Sequence, residues 1–249
     1  PQYVTKVTET LQNKGFEAYI VGGCVRDLIL GRTPKDWDVT TNAKPDQIQA
    51  LFEKTMYENR FGTVAVYLIN EGEITNDTEE EQGNKAKYNI VEVTTYRKEA
   101  GYSDNRHPDV IEFSETIEED LERRDFTINA MAYDISKGHL KDIYGGIRDI
   151  EDKVVRTVGD AGERFSEDAL RVLRAIRFSS ELGFAVSYET LEAISQHANN
   201  LAGISHERIR DEFTKIIMSP EPMAGIGMLV KLGLNKYVVP ELEEGVGCE

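Results

Sequence analysis

The β-rich segments of this chain lie in its first hundred residues, and helical periodicity takes over after them. That segregation points away from an alternating parallel sheet and toward an α+β arrangement. Residues 62–69 and 88–96 alternate and are rich in β-branched and aromatic side chains (Thr63, Val64, Val66, Tyr67; Ile90, Val91, Val93, Thr95). Shorter strands are expected at 17–21 and 36–40. A helix is expected over 3–15, with Val4, Val7 and Leu11 on one face and Gly15 as its stop. A second opens at Gly22-Gly23 and ends near Leu30-Gly31, and a third covers 45–52. From Ile117 the pattern is mostly helical, with a short turn at 142–146. From residue 165 onward only helices are expected, over 166–182, 188–197, 205–218 and 222–233. The chain thus reads as a mixed α+β head, 1–145, and an all-helical region, 146–249.

Two polar segments interrupt the head. Residues 71–87 are acidic and aperiodic and read as a flexible hairpin tip; residues 97–109 read as irregular. Residues 241–249 end without a helix stop and read as a cut in a longer chain. No apolar run approaches the roughly 20 residues that span a bilayer, no signal peptide is visible, and Cys24 and Cys248 read as free thiols of a reducing, cytoplasmic protein.

The chain carries 29 Lys and Arg against 45 Asp and Glu, a net charge of −16. Taken as a sum, this opposes binding to phosphate backbones. The distribution is uneven, however. Glu71, Glu73, Asp77, Glu79, Glu80 and Glu81 crowd one segment, whereas Arg156, Arg164, Arg171, Arg174 and Arg177 crowd another, leaving room for a local anion site.

Asp36-Trp37-Asp38 falls on an expected strand, where positions i and i+2 share a face about 7 Å apart. Two such carboxylates can share Mg2+, which takes oxygen ligands and leaves room for substrate phosphate. Two ions would clamp the attacking and leaving oxygens of a phosphoryl displacement. An Asp-x-Asp is also a common solvated strand edge, so its setting matters. It follows Gly22-Gly23, where a strand opens a helix and backbone N–H groups can approach a phosphate, with Arg26 one turn on. A tight strand-to-helix turn is the plainer reading of the two glycines. Glu92 interrupts an otherwise apolar strand and faces either solvent or a site. If its strand lies beside that of Asp36 and Asp38, it is a candidate third ligand or general base for a primer hydroxyl.

On a helix through 166–182, Asp168 and Arg171 are neighbours on one face. They are either a wet intrahelical ion pair, worth little, or a reader of nucleobases. Cytosine and adenine both present an amine beside an unprotonated ring nitrogen, which matches an Asp acceptor and an Arg donor. Guanine and uracil mismatch both. Arg174 stays near that face, while Arg177 has moved round the helix and either meets phosphate or pairs with Glu181.

Taken together, Val21-Gly22-Gly23-Cys24-Val25-Arg26-Asp27-Leu28, the Asp36/Asp38 pair, Arg123-Arg124-Asp125-Phe126-Thr127-Ile128-Asn129-Ala130, Asp142-Ile143-Tyr144-Gly145-Gly146, Glu167 to Arg171, and Ser205-His206-Glu207-Arg208-Ile209 occur in an order that resembles bacterial class II tRNA nucleotidyltransferases. The resemblance runs from about residue 18 to 218. It implies a polymerase-β-like nucleotidyltransferase head with a mixed sheet, followed by an all-helical neck. It implies template-independent addition of C and A (CCA) to the tRNA 3′ end from CTP and ATP. Asp36 and Asp38 would bind magnesium, and Gly22, Gly23 and Arg26 would hold the incoming nucleotide. Arg124, Asp125 and Asn129 would contact it too, Asp125 near the ribose 2′-OH, with Asp168 and Arg171 reading the base and Arg174 and Arg177 nearby.

Residues 97–109 would be the family's flexible loop. Cys24 stands where a small residue is expected, 71–87 looks like an insertion, and the helical body and tail that grip tRNA are largely absent after residue 240, so weak tRNA binding is expected. No membrane or protein partner is implied. The competing readings are a bacterial poly(A) polymerase, a partial CC- or A-adding enzyme, and a catalytically silent nucleotide- or RNA-binding module.

Overall fold

A computed structural model of the protein describes residues 1–57, 62–69, 88–101 and 110–243. The expectations for 71–87, most of 97–109, the final residues and Cys248 fall on residues outside this set. The chain forms two compact units, and it passes between them more than once. The first comprises Pro1–Lys98, Glu112–Leu121 and Met131–Ile143; the second comprises Glu99–Ile111, Glu122–Ala130 and Tyr144–Glu249.

The first unit is built from α1 (Gln2–Gln12), β1 (Ala18–Val21), α2 (Gly23–Ile29), β2 (Asp38–Thr41), α3 (Pro45–Leu51), β3 (Thr55–Tyr57), β4 (Thr63–Ile69) and β5 (Tyr88–Thr95). A short pair, β6 (Arg97–Ala100) with β7 (Val110–Phe113), forms a sheet of its own; α4 (Ile117–Glu122), β8 (Met131–Asp134) and β9 (His139–Asp142) follow. The main sheet has seven strands in the order β3-β4-β5-β2-β1-β8-β9. β2 and β5 run parallel, and the other described pairings are antiparallel. The helix period of α1 works as expected: Val4, Val7 and Leu11 are fully buried. They join Ile48 of α3 and the sheet valines Val39, Val64, Val66, Val91 and Val93, all fully buried, in the core.

Three expectations fail here. Residues 131–134 and 139–142 are strands inside a stretch read as helical. Each has only four residues, and Met131, Ala132 and Asp134 are all buried, so no two-residue alternation betrays them. Residues 97–100 are a strand, not irregular chain. The strand at 36–40 begins only at Asp38, leaving Asp36 in a bend ahead of it. Ladder bonding in that region starts with the Glu92 N–H donating to the Trp37 carbonyl at 3.2 Å, one residue after Asp36.

The second unit holds α5 (Gly146–Glu151), β10 (Val154–Val155), α6 (Ala161–Glu167), α7 (Leu170–Leu182), β11 (Ala185–Val186), α8 (Tyr188–His197), α9 (His206–Ile217), α10 (Pro222–Lys231) and α11 (Asn235–Val238). Its core gathers Phe126, Phe165, Leu173, Ile176 and Leu229, all fully buried, with α7 packed against α9 and α10. β10 and β11 pair in parallel, so the region after residue 165 is not wholly helical. Nor is 166–182 one helix. Asp168 takes an extended conformation (φ −142°, ψ 103°) that ends α6, and its Oδ1 accepts from the Leu170 N–H at 3.0 Å to start α7. A short acidic side chain competing for local backbone N–H groups is a common way to break a helix. Among the described residues, no helix is long and apolar enough to cross a membrane.

Candidate functional site

In the first unit, backbone register does the positioning. β2 and β5 pair with Asp38 directly opposite Glu92 and Val39 opposite Val93. Paired residues of neighbouring strands share a face, so Asp38 and Glu92 stand side by side while the valines turn inward. The condition set for Glu92 is therefore met: its strand is the neighbour of the Asp38 strand. Glu92 and Asp36 are exposed and Asp38 is half-buried.

β1 ends beside the start of β2, since Ile20 pairs with Val39, and there the chain turns through Gly22-Gly23 into α2. Gly22 has φ 83° and ψ −136°, a backbone state open essentially to glycine alone. Its N–H donates to the Met131 carbonyl at 3.2 Å. The Cys24 thiol, at the head of α2, reaches the main-chain carbonyl of Asp38 at 3.9 Å. Burial pushes that thiol up to about 11, so it packs and is no nucleophile. Arg26 is buried, and its Nε and Nη2 hold Asp27 Oδ1 at 2.9 and 2.8 Å.

Among the described residues, no three His, Cys, Asp or Glu side chains converge into a ready-made metal cage. The candidate donors Asp36 and Asp38 are carboxylates, whose oxygens suit a hard divalent ion.

In the second unit, side chains do the positioning. Asp125 is buried and receives Arg174 Nε at 2.8 Å and Nη2 at 2.5 Å, while its Oδ1 accepts from the Phe126 N–H at 2.8 Å and from Asn129 Nδ2 at 3.3 Å. Burial works to raise this carboxyl, but the Arg174 and Arg171 charges and these bonds outweigh it and hold it at about 2. Arg124, beside Asp125, is half-buried.

Asp168 and Arg171 are not partners on one helical face, because the helix breaks at Asp168. Asp168 Oδ2 accepts from Arg208 Nη2 at 2.7 Å, and Arg171 Nη1 pairs with Glu167 Oε2 at 2.5 Å and also donates to the Arg164 carbonyl. Arg171 Nη2 donates to the Arg123 carbonyl at 3.1 Å. This still leaves polar capacity: a carboxylate accepts about four bonds and a guanidinium donates five. Among bonds between described residues, Arg171 keeps its Nε–H and one Nη2–H. Arg177 pairs with Glu212 at 3.3 Å and with Glu181 at 3.9 Å, so the Glu181 alternative is realised and a second partner is added.

Sequence reasoning passed over Glu167, Phe178, Arg208 and Glu212 as functional residues. Arg208 and Glu212 sit near the end of the last motif, but nothing in one sequence says that α9 meets α7.

A mixed sheet carrying carboxylates beside a glycine turn, with a helical region after it, defines a nucleotidyltransferase head. Residues 18–156, more than half of the chain, match the model of the poly A polymerase head domain, and the chain belongs to that family. Residues 183–245 match a second model, the probable RNA and SrmB-binding site of polymerase A. The CCA-adding enzyme of Lactiplantibacillus plantarum is 41% identical over 95% of this chain and 54% of its own length. The crystal structure of the Bacillus stearothermophilus CCA-adding enzyme in complex with CTP superposes with a TM-score of 0.81 at 39% identity, covering 95% of this chain and 53% of that one. The Thermotoga maritima CCA-adding enzyme complexed with tRNA gives a TM-score of 0.76 at 25% identity, over 96% of this chain and 53% of that one. The chain thus spans about half the length of the relatives it matches.

Proposed function

We propose that this chain transfers nucleotides without a template to the 3′ end of tRNA, using CTP and ATP to build CCA, in the cytoplasm. The observation that carries the reading is Asp38 standing in register with Glu92 beside the Gly22-Gly23 turn, in a chain whose relatives include CCA-adding enzymes. Asp36 and Asp38 would hold a divalent metal, taken here as Mg2+. When bound, the metal neutralises charge on the phosphates and on the attacking and leaving oxygens. Glu92, which does not complete a three-carboxylate cage with Asp36 and Asp38, would take the proton of the primer 3′-hydroxyl as it attacks the α-phosphorus and pyrophosphate departs. The Gly22-Gly23 backbone approaches the triphosphate, and Arg26 adds positive charge behind it.

Asp125, ionised throughout the neutral range, accepts from a ribose 2′-OH; Arg124 and Asn129 belong to the same contact set. Asp168 offers lone pairs to the amine of cytosine or adenine, and Arg171 offers N–H to the neighbouring ring nitrogen, with Arg174 and Arg177 supporting them. Positioning and electrostatics supply most of the rate in such transfers.

The test is incubation of a tRNA lacking its 3′ end with CTP, ATP or both. Addition that stops after CCA supports the reading. A long A tail would assign poly(A) polymerase activity instead, stopping at CC or adding only A would assign a partial enzyme, and nucleotide binding with no extension would make the chain a silent binding module.

A further inference from the structure

Arg174 and Arg177 stand one turn apart on α7, and both guanidiniums pack on one ring: their Cζ atoms lie 5.4 and 4.3 Å from the Phe178 centroid. Phe178 is itself buried and meets Phe126, the neighbour of Asp125, edge-on at 5.6 Å. Two like charges packed on one buried ring each need a counter-charge. Arg174 has Asp125. Arg177, whose side chain is 11% exposed, has Glu212 of α9, whose side chain is 4% exposed. The other carboxylate near it, Glu181, is 3.9 Å away and half-buried, its side chain 44% exposed. Lys215, itself exposed, holds Glu212 Oε1 at 3.0 Å, and Arg177 Nη1 donates to the same oxygen at 3.4 Å. Arg177 Nε and Glu212 Oε2 approach to 3.3 Å, and neither of these two buried atoms has a hydrogen bond.

We propose that Glu212 is a positioning residue for ribonucleotide selection: by engaging Arg177 it leaves Arg174 to hold Asp125 in the orientation that meets a ribose 2′-OH. The proposal rests on the reading of Asp125 as the ribose contact. The Arg177 charge already acts on Asp125. Without the Glu212 charge, two guanidiniums draw on one carboxylate, and its oxygens turn from the ribose toward them.

The experiment is calorimetric titration of CTP and dCTP, without primer, into the whole chain and its Glu212→Gln, Arg177→Met, double Arg177→Met/Glu212→Gln, and Lys215→Ala variants. Glu212→Gln should lower the CTP-over-dCTP preference about tenfold, as suits the loss of one buried counter-charge. The double variant should recover most of it, and Lys215→Ala should match the unaltered chain. A Glu212→Gln protein that keeps its Tm and its full preference overturns the proposal. So does a double variant whose loss equals the two single losses together. Should Glu212→Gln alone fail to fold, the double variant decides: preference kept supports the proposal, and preference lost overturns it. An unaltered chain that extends a primer but binds CTP and dCTP alike overturns the ribose reading and the proposal with it, leaving the catalytic reading intact.

Discussion

The two units present their candidate carboxylates in opposite ways. In the first, Asp36 and Glu92 are exposed and Asp38 is half-buried, and the pairing of β2 with β5 decides where Asp38 and Glu92 stand. In the second, Asp125 is buried and clasped by Arg174, Asp168 is held by Arg208, and Glu212 by Arg177 and Lys215. Ligands for a metal must stay available to it, so the backbone carries the precision. Groups that discriminate by hydrogen bonding must not wander, so their neighbours fix them. Substituting the carboxylates of the first unit should thus remove activity and spare stability, and substituting those of the second should cost both.

The largest effect should come from Asp38→Ala or Asp36→Ala. Each should slow primer extension by about a thousandfold, in line with the loss of a principal electrostatic element of a transition state, and leave Tm within a degree or two. A normal turnover rate in the double variant would break the comparison at its first limb.

Asp125→Asn comes next. It takes the counter-charge from Arg174, whose side chain is 32% exposed, which should destabilise the protein by about 1–3 kcal/mol and abolish the preference for ribonucleotides. Denaturant unfolding and paired CTP and dCTP titrations measure the two losses separately.

The acid behaviour sharpens the same point. A carboxyl held at about 2 in the folded chain, against an ordinary value near 3.9, contributes about 2–3 kcal/mol at neutral pH. Because the folded value is depressed, that stability is present in full above about pH 4 and disappears as pH falls toward 2. The stability gap between the unaltered chain and Asp125→Asn should therefore narrow between about pH 4 and about pH 2 in denaturant titrations. A gap that stays constant would contradict it.

The smallest effect should be Gly22→Ala. An added Cβ must adopt φ 83°, ψ −136°, at a cost of about 1–3 kcal/mol. Thermal unfolding would show this as a fall of several degrees.

The same contrast explains what could be read from the residues. The amphipathic α1, the strands at 63–69 and 88–95, the glycine turn and the nearness of Glu92 to Asp38 follow from local periodicity and a single pairing. The four-residue strands β8 and β9 carry too few residues for a period to show. Asp168 was misplaced because helix propensity runs through it, while its side chain takes the Leu170 N–H and ends the helix. The pairings Arg174–Asp125, Arg208–Asp168 and Arg177–Glu212 join residues 49, 40 and 35 positions apart in the chain. Local spacing carries no trace of them, since they depend on how α9 meets α7 and the end of α6, and on how α7 meets the segment that carries Asp125.

The most direct measurement is the length and sequence of the product formed on a tRNA that lacks its 3′ end. The account predicts C addition with CTP alone and a product ending in CCA, and no longer, with CTP and ATP together. Incorporation of G or U to the same extent, or an A tail that keeps growing, would contradict it.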